Sequence, residues 1–265
     1  MESLKKYFFL FSNLKKKHSV NIVFSSGRNF FGRICVQHQG GALKNRFLKI
    51  DRFRQINQFG RICKILKHFF FSGFIGLIIY DNGLCNFILL SEGLRVGLRI
   101  FSGFFQSNVS LGSSCKILNI RLFDNVNSLE FYPFAGFKIA RSAGVYSYIF
   151  SRDNFKSNVK MPSGWQLRLS NYALGSLGMV SHPSHFLTVI RKAGLNRNLG
   201  IRPTVRGVIK NPCDHPHGGG EGRGSPPAAH VSPWGWLCKG TPSKNKKEDR
   251  IKRRLYKSTF RHIKL

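Results

Sequence analysis

The chain has 265 residues and is strongly basic, with 43 Lys and Arg against 11 Asp and Glu and a formal net charge of +32. So few carboxylates argue against paired acid–base catalysis and an acidic metal cage, whereas the cationic excess predicts a polyanionic partner. Hydrophobic residues make up 42% of the chain. Because this content and length allow a sizeable core, we expect most of the chain to fold.

The N-terminal part is expected to comprise an extension followed by two small β domains. Residues 1–26 mix lysines with phenylalanines without a regular period, which predicts a basic N-terminal extension. In residues 27–107 short apolar runs alternate with turn residues, and the same pattern resumes in residues 108–190, so each stretch predicts a small β-barrel. Between two β-rich runs, Asn82-Gly83 predicts a hairpin with a type I′ turn.

Beyond residue 190 the strand pattern gives way to Gly, Pro and basic residues. Residues 191–265 hold 18 Lys and Arg against 4 acids. Their prolines exclude long regular elements, so we expect an extended, irregular segment whose backbone finds partners on nucleic acid. The predicted fold class is therefore mainly β, with tandem small barrels between a basic arm and an irregular basic tail. The longest apolar run is too short for a membrane helix, which needs about 20 residues.

The stretch from residue 211 to residue 223 concentrates two His, one Cys, two acids and four Gly, and three interpretations compete for it. One is a zinc site built from its thiol and imidazole groups: Cys213, His215 and His217, with Cys238 or His230 as a fourth ligand. Another is a nucleotide loop at residues 218–222, although the Lys-Ser/Thr of a Walker loop is missing. The third, which the charge balance favours, is close approach of a glycine-rich backbone to RNA.

Several other arginines lie beside small or rigid residues, as expected for phosphate contacts. Arg202 and Arg206 are four residues apart across a proline, with few acids nearby to pair with them. Arg28 and Arg33 flank a Gly/Asn loop, and Arg141 precedes Ser-Ala-Gly. No paired carboxylates or nucleophile elbow are present, so no catalytic residue is predicted.

Several motifs together resemble one family. They are Arg202-Pro203-Thr204-Val205-Arg206-Gly207, the Asn-Pro and Asp-His-Pro-His-Gly-Gly-Gly-Glu-Gly-Arg residues of 211–223, Ser232-Pro233-Trp234-Gly235 and Lys239-Gly240. This pattern resembles the universal second protein of the large ribosomal subunit, and the resemblance covers nearly the whole chain after residue 26. It implies an oligonucleotide-binding (OB)-type barrel, then an SH3-like barrel, then a C-terminal segment running through ribosomal RNA toward the peptidyl-transferase region. Because catalysis there is attributed to RNA, the resemblance implies no enzymatic role.

The charge pattern and the resemblance together give a set of predicted RNA-binding residues. These residues are Arg28, Asn29, Arg33, His38, Lys44, Arg54, Arg141, Ser142, Arg202, Thr204, Arg206, Asn211, His215, His217, Gly218, Gly219, Glu221, Arg223, Trp234 and Lys239. The implied partners are large-subunit RNA, neighbouring ribosomal proteins and the small subunit at the intersubunit face, with no membrane. No specific cofactor or protein-held metal is expected, only magnesium ions associated with the RNA.

The sequence departs from the family pattern at three places. Family members usually carry Asp-Pro-Asn-Arg-Ser where residues 68–72 read His-Phe-Phe-Phe-Ser, so an RNA-contacting Arg is replaced by Phe71. Their Gly-Gly-Gly-His-Lys after His38 becomes Gly-Gly-Ala-Leu-Lys at residues 40–44, and their Arg-Trp before Gly200 becomes Asn-Leu.

Composition suggests which ribosome holds the chain. It contains 25 Phe and only 8 Ala, as expected for an AT-rich organelle genome, and residues 1–26 lack the pattern of a transit peptide. We therefore expect a mitochondrial ribosome, with a plastid or a reduced bacterium as alternatives. Two other functions stay open from residues alone. One is a metal-dependent nucleic-acid enzyme using Cys213, His215 and His217, and the other is a protein that coats single strands through barrel aromatics.

Overall fold

The computed structural model describes residues 14–22, 24–104, 110–220 and 230–239, and in these ranges the protein is mainly β, which confirms the predicted fold class. The chain divides into two compact units. The barrel unit comprises the described residues up to 22 together with residues 44–189, and the loop unit comprises residues 24–43 with the described residues from 190 onward. This division differs from the sequence-based boundaries because both barrels fall in one unit. Within the described ranges no helix is long and apolar enough to cross a bilayer.

The first barrel is an antiparallel sheet with strand order β6-β3-β4-β5. Its strands and the two that precede it are β1 (Ser19–Asn21), β2 (Arg46–Leu48), β3 (Gln58–Leu66), β4 (Ile75–Tyr80), β5 (Cys85–Leu89) and β6 (Arg99–Ser102). β1 and β2 form a separate two-stranded sheet. Part of the predicted N-terminal extension is therefore a strand of the barrel unit.

Both faces of β4 are buried, which explains its nearly continuous apolar sequence. Ile78 and Tyr80 point into the core of the first barrel. Leu77 lies on the other face, where it packs with Leu48 and Phe87. The segment around β2 thus covers what would otherwise be an exposed sheet face.

The predicted hairpin joins β4 to β5, but its turn is of another type. The Gly83 N–H donates to the Tyr80 carbonyl at 2.8 Å, and the Tyr80 N–H donates to the Leu84 carbonyl at 2.9 Å. Gly83 has φ +80°, whereas Asn82 does not have a positive φ. A type I′ turn needs positive φ at both positions, so this is a type I turn followed by a glycine bulge.

The second barrel has strand order β13-β12-β11-β8-β14-β7, and all of its pairings are antiparallel. Its strands, with the separate pair β9 and β10, are β7 (Ser114–Lys116), β8 (Asn125–Asn127), β9 (Leu129–Glu130), β10 (Phe137–Ile139), β11 (Ser147–Arg152), β12 (Lys156–Lys160), β13 (Gln166–Ser170) and β14 (Leu174–Leu177). The Ile117 N–H donates to the Ala173 carbonyl and the Leu118 N–H to the Asn171 carbonyl, which continues the contact of β7 with the segment before β14. Its core includes Val126, a fully buried residue.

The loop unit is irregular, as the prolines of its sequence predict. Its regular elements in residues 190–220 and 230–239 are the helix Ala193–Asn198 and a 3-10 turn at Gly207–Ile209. Isolated antiparallel bridges pair Gln39 with Ile201 and Val231 with Leu237.

The two barrels are joined through the buried side chain of Arg54, which is 2% exposed. A single parallel bridge, Ser102 to Ser114, links β6 to β7. Arg54 Nε donates to Ser102 Oγ and Nη2 donates to the Phe101 carbonyl, both in the first barrel. Nη1 donates to the Gly112 carbonyl and to Ser176 Oγ in the second, and all four distances are 3.0 Å.

Arg54, which was predicted to contact ribosomal RNA, is thus placed by the structure in a buried position with internal partners. Its guanidinium is enclosed by neutral oxygen acceptors, and burial lowers the pKa of the group from its ordinary value, with Tyr80 and Asp51 opposing that shift. Sequence alone does not distinguish a buried arginine from a phosphate-binding one in so basic a chain.

Removing this guanidinium should destabilise the protein strongly. We expect Arg54→Ala to lower the free energy of unfolding by roughly 3–5 kcal/mol, because it leaves several buried acceptors unpaired and creates a cavity. Arg54→Lys should also be destabilising, since one ammonium cannot reproduce the planar fork of donors. Denaturant unfolding of the full chain followed by circular dichroism measures both. The exposed neighbour variant Arg52→Ala is the control, and a loss at Arg54 no larger than at Arg52 would contradict the joining role.

Candidate nucleic-acid interface

The loop unit concentrates positive charge with almost no carboxylate. Its described residues include nine Lys and Arg but only one acid, Asp214. Both salt bridges of the described chain, Arg99 with Asp81 and Arg168 with Asp153, lie in the barrel unit. The cations of the loop unit are therefore not neutralised within the part of it that the structure describes, and this surface favours a polyanion.

Residues 28–34 form a tight loop closed by a bridge between Arg28 and Ile34. Asn29 Oδ1 accepts a hydrogen bond from the Arg33 N–H at 2.9 Å, and Arg28 Nη1 donates to the Gly32 carbonyl at 2.8 Å. The preceding Gly27 has φ +76°, and a Cβ there would lie 2.0 Å from the Val36 carbonyl oxygen, so only glycine fits. The predicted residues Arg28, Asn29 and Arg33 thus share one exposed, preformed loop.

A cavity of about 410 Å³ lies beside this loop. Its lining includes the cations Arg28, Arg202 and Lys210 together with Ser26 and His38, and it contains no carboxylate. The Arg202 N–H donates to the His38 carbonyl at 2.9 Å, which brings two segments distant in sequence together. Such a basic, polar concavity can accept a phosphate or a ribose. Lys210 was not predicted, although its position just before Asn211 placed it next to a recognised motif.

Arg197 is a further basic residue of the loop unit that was not predicted from the sequence. Its Nη1 donates to the carbonyls of Gly40 and Ile201, both at 3.2 Å. A Cβ at Gly41 would lie 2.7 Å from Arg197 Nη2, so the glycine allows the guanidinium to lie against the backbone. Arg197 stands one residue before the place where family members carry Arg, which was the available signal.

The histidines of the 211–223 stretch are used inside the protein. His215 is 8% exposed, and its Nδ1 accepts a hydrogen bond from the His217 N–H at 3.0 Å. Its ring lies so close to Gly207 that a Cβ there would come 2.5 Å from it. Burial, then the charges of His217 and Lys210, lower the pKa of His215 from 6.5. The structure therefore places this ring, which was predicted to contact RNA, in a packing role inside the loop unit.

His217 also serves the backbone, because its Nε2 accepts from the Val231 N–H at 3.3 Å. Cys213 and Cys238 are exposed thiols. In the part of the chain that the structure describes, no three His, Cys, Asp or Glu side chains come together to hold a metal ion. The proposed zinc site therefore has no support in the described geometry.

The remaining predicted residues differ in exposure. Arg141 is half-buried, and burial followed by the neighbouring Arg52 lowers the pKa of its guanidinium. Gly218 is also half-buried. The exposed residues of the set are Lys44, Ser142, Thr204, Arg206, Asn211, Gly219, Trp234 and Lys239. Glu221 and Arg223 lie outside the described residues.

Two family models match the chain, one over residues 16–102, described as the RNA-binding N-terminal domain of ribosomal proteins L2, and one over residues 110–235, described as their C-terminal domain. Bacterial proteins named large ribosomal subunit protein uL2 are also similar. The one from Variovorax paradoxus is 35% identical over 229 residues, covering 85% of this chain and 82% of its own length. Those of Hyphomonas neptunium and a Chelativorans species are each 37% identical, covering 83% and 86% of this chain and 80% and 83% of their own lengths.

Acid should weaken the packing around His215. Because its pKa is lower in the folded chain than the ordinary 6.5, the hydrogen bond to its neutral Nδ1 stabilises the fold above about pH 6.5 and is lost as the pH falls toward the folded pKa. We expect the protection of the His217 amide against hydrogen exchange to fall over that window. In His215→Phe, which has no titrating ring, the dependence should vanish. A His215 pKa at or above 6.5 by NMR would contradict the assignment.

A methyl group at Gly207 should displace the same ring. We expect Gly207→Ala to abolish the protection of the His217 amide, since the nearest His215 atoms would lie 2.5 Å from the new Cβ. Gly194→Ala is the matched control, because it lies in the helix Ala193–Asn198 with nothing within 4 Å of its Cβ position. Equal protection in the two variants would show that His215 is not packed as described.

Proposed function

Because the chain belongs to the ribosomal protein L2 family and is a structural constituent of the large ribosomal subunit that binds ribosomal RNA, we propose that the loop unit supplies its main RNA-binding surface. As a member of this family it also binds neighbouring ribosomal proteins, and it is not an enzyme. The observation that carries the proposal is the excess of nine Lys and Arg over one acid in the described loop unit.

The cavity beside residues 28–34 supports a defined contact point within this surface. Arg28, Arg202 and Lys210 line it from separate segments of the loop unit, so one phosphate group can be reached by several cations. Desolvating three like charges together is unfavourable unless an anion lies between them. We propose that a backbone phosphate of the large-subunit RNA occupies this cavity.

The exposed part of the predicted residue set completes the proposed interface. Arg206, Asn211 and Lys239 extend it along the loop unit, while Lys44 and Ser142 provide separate contacts on the barrel unit. Double-stranded RNA is recognised mostly by shape and by contacts to its phosphates and 2′-hydroxyls, which polar side chains such as these can make. Contact with the small subunit at the intersubunit face stays a prediction.

We further propose that this ribosome is mitochondrial. The support is compositional, since 25 Phe and 8 Ala in 265 residues are typical of an AT-rich organelle gene. Immunoblotting of purified mitochondria, plastids and cytosol from the source organism tests it. Enrichment with mitochondrial large-subunit RNA is the expected result, whereas enrichment with plastid RNA, or a bacterial source, would overturn the mitochondrial assignment and leave the ribosomal function intact.

Sedimentation of a native lysate tests integration into the particle. We expect the protein to co-migrate with the large ribosomal RNA through a sucrose gradient at low and high salt, and to leave those fractions after ribonuclease treatment. Migration in light fractions under every condition would contradict a stable ribosomal role. Equal affinity of the purified protein for arbitrary single-stranded DNA and for folded large-subunit RNA would instead support a strand-coating function.

Neutralising the loop-unit arginines should reduce the salt dependence of RNA binding. Each phosphate contact contributes roughly 0.7 to 0.9 to the slope of log K against log salt. We therefore expect Arg202→Gln and Arg206→Gln each to lessen that slope by about this amount in filter-binding titrations with large-subunit RNA. Arg168→Gln is the control, since Asp153 lies 2.6 Å from its guanidinium and already neutralises it. Slopes equal to that of the parent would remove these arginines from the interface.

A further inference from the structure

Two adjacent phenylalanines protrude from the tip of the 28–34 loop. Phe30 is 97% exposed and Phe31 is 81% exposed, so both rings are almost entirely in contact with solvent. Burial of such a side chain is favourable relative to leaving it in water. Two neighbouring rings left in this position indicate a surface that a partner covers.

The backbone holds the two rings in a fixed position. The Gly32 N–H donates to the Asn29 carbonyl at 3.0 Å, and the Asn29 N–H donates to the Arg33 carbonyl at 2.8 Å. Gly32 has φ +76°, which lets the chain turn back directly after Phe31. Because the loop is closed before any partner arrives, little conformational entropy remains to be lost on binding.

The charge around the rings points to the chemistry of the partner. Arg28 and Arg33 flank the pair, and residues 24–43 contain no Asp or Glu. An anionic partner with flat apolar surfaces fits this combination, and unpaired nucleic-acid bases have both properties. Bases splayed out of RNA stack on Phe, Tyr and Trp rings, and basic residues beside such rings hold the backbone.

The mutual orientation of the rings defines the mode of binding. Their centroids are 5.5 Å apart and their planes meet at 80°, an edge-to-face pair. One base cannot lie flat on two rings that are nearly perpendicular, so each ring offers a face to a separate base.

We propose that Phe30 and Phe31 form a stacking platform for two unpaired bases of the large-subunit RNA, with Arg28 and Arg33 on the adjoining phosphates. This site rests on the proposed RNA-binding function of the loop unit. It adds a stacking contact with unpaired bases to the electrostatic contacts with phosphates.

Replacement of the rings provides a test that separates stacking from electrostatics. Removing one stacked base contact weakens binding by about fivefold to more than a hundredfold, and the stacking contribution involves no release of counterions. We expect Phe30→Ala and Phe31→Ala each to lower the affinity for a large-subunit RNA transcript at least about fivefold, with an unchanged salt slope. Arg28→Gln should instead lessen the slope. Phe186→Ala, at a ring 82% exposed in the barrel unit, is the control and should leave the affinity unchanged.

A direct readout comes from fluorescence of the Phe30→Trp variant, measured by difference against the parent chain. Stacking of a base on the new indole should quench its emission when the RNA transcript is added. Heparin, a polyanion without bases, should bind the basic surface without that quenching. Equal quenching by heparin, or none with the RNA, would overturn the stacking platform.

The remaining outcomes separate this proposal from the function on which it rests. If the alanine variants bind the RNA with parental affinity and slope, the stacking site is wrong while RNA binding stands. If, in addition, these variants dissociate from large-subunit particles in a gradient, the rings contact a ribosomal protein, and the stacking proposal is again wrong. If the parent chain itself does not bind large-subunit RNA, the proposed function fails first.

Discussion

The arrangement of the barrel unit depends on one buried guanidinium that is satisfied by neutral oxygens. Arg54 donates four hydrogen bonds across the junction of the two barrels, to two carbonyls and two serine hydroxyls. Planar, diverging donors suit this task because they reach acceptors on both sides at once. The Ser102 hydroxyl also accepts from the Tyr80 phenol at 3.1 Å, which connects the junction to the core of the first barrel. The interface is therefore held by directional polar contacts, which fix one mutual arrangement.

The scarcity of carboxylates explains why neutral acceptors take this role. Two acids near the barrels are engaged with backbone N–H groups, whereas Asp81 and Asp153 pair with arginines. Glu130, fully buried, accepts from the N–H groups of Gly136 and Leu174, each at 3.0 Å. Its burial raises the pKa of the carboxyl, and these hydrogen bonds oppose the shift. Glu92 similarly accepts from the His182 N–H. With 43 Lys and Arg against 11 Asp and Glu, the acids of the chain are too few to neutralise its cations, and the excess positive charge favours binding to RNA.

The sequence was informative where a local rule determines the structure and misleading where tertiary packing does. The β-rich runs around Asn82-Gly83 predicted the hairpin, because strand propensity and turn residues act over a few positions, but the predicted turn type was wrong, since Asn82 does not have the positive φ of a type I′ turn. Arg54 and His215 were predicted to contact RNA because the sequence of a basic chain does not show which of its polar residues are buried. Arg197 was not predicted because one of its partners, Gly40, lies more than 150 residues away in the sequence. A contact over that distance leaves no local sequence pattern.

Phe71, at one of the places where the sequence departs from the pattern that it resembles, packs among other aromatic rings. Phe71 lies 5.5 Å from the Phe47 ring and 5.7 Å from His68, measured between centroids, and packs against the cluster that contains Leu48. Burial lowers the pKa of His68, so its ring is favoured in the neutral form, which suits an aromatic neighbour. Phe71 thus contributes apolar packing within the barrel unit. Since ions screen contacts between charges but not apolar packing, the packing around Phe71 should persist at high salt.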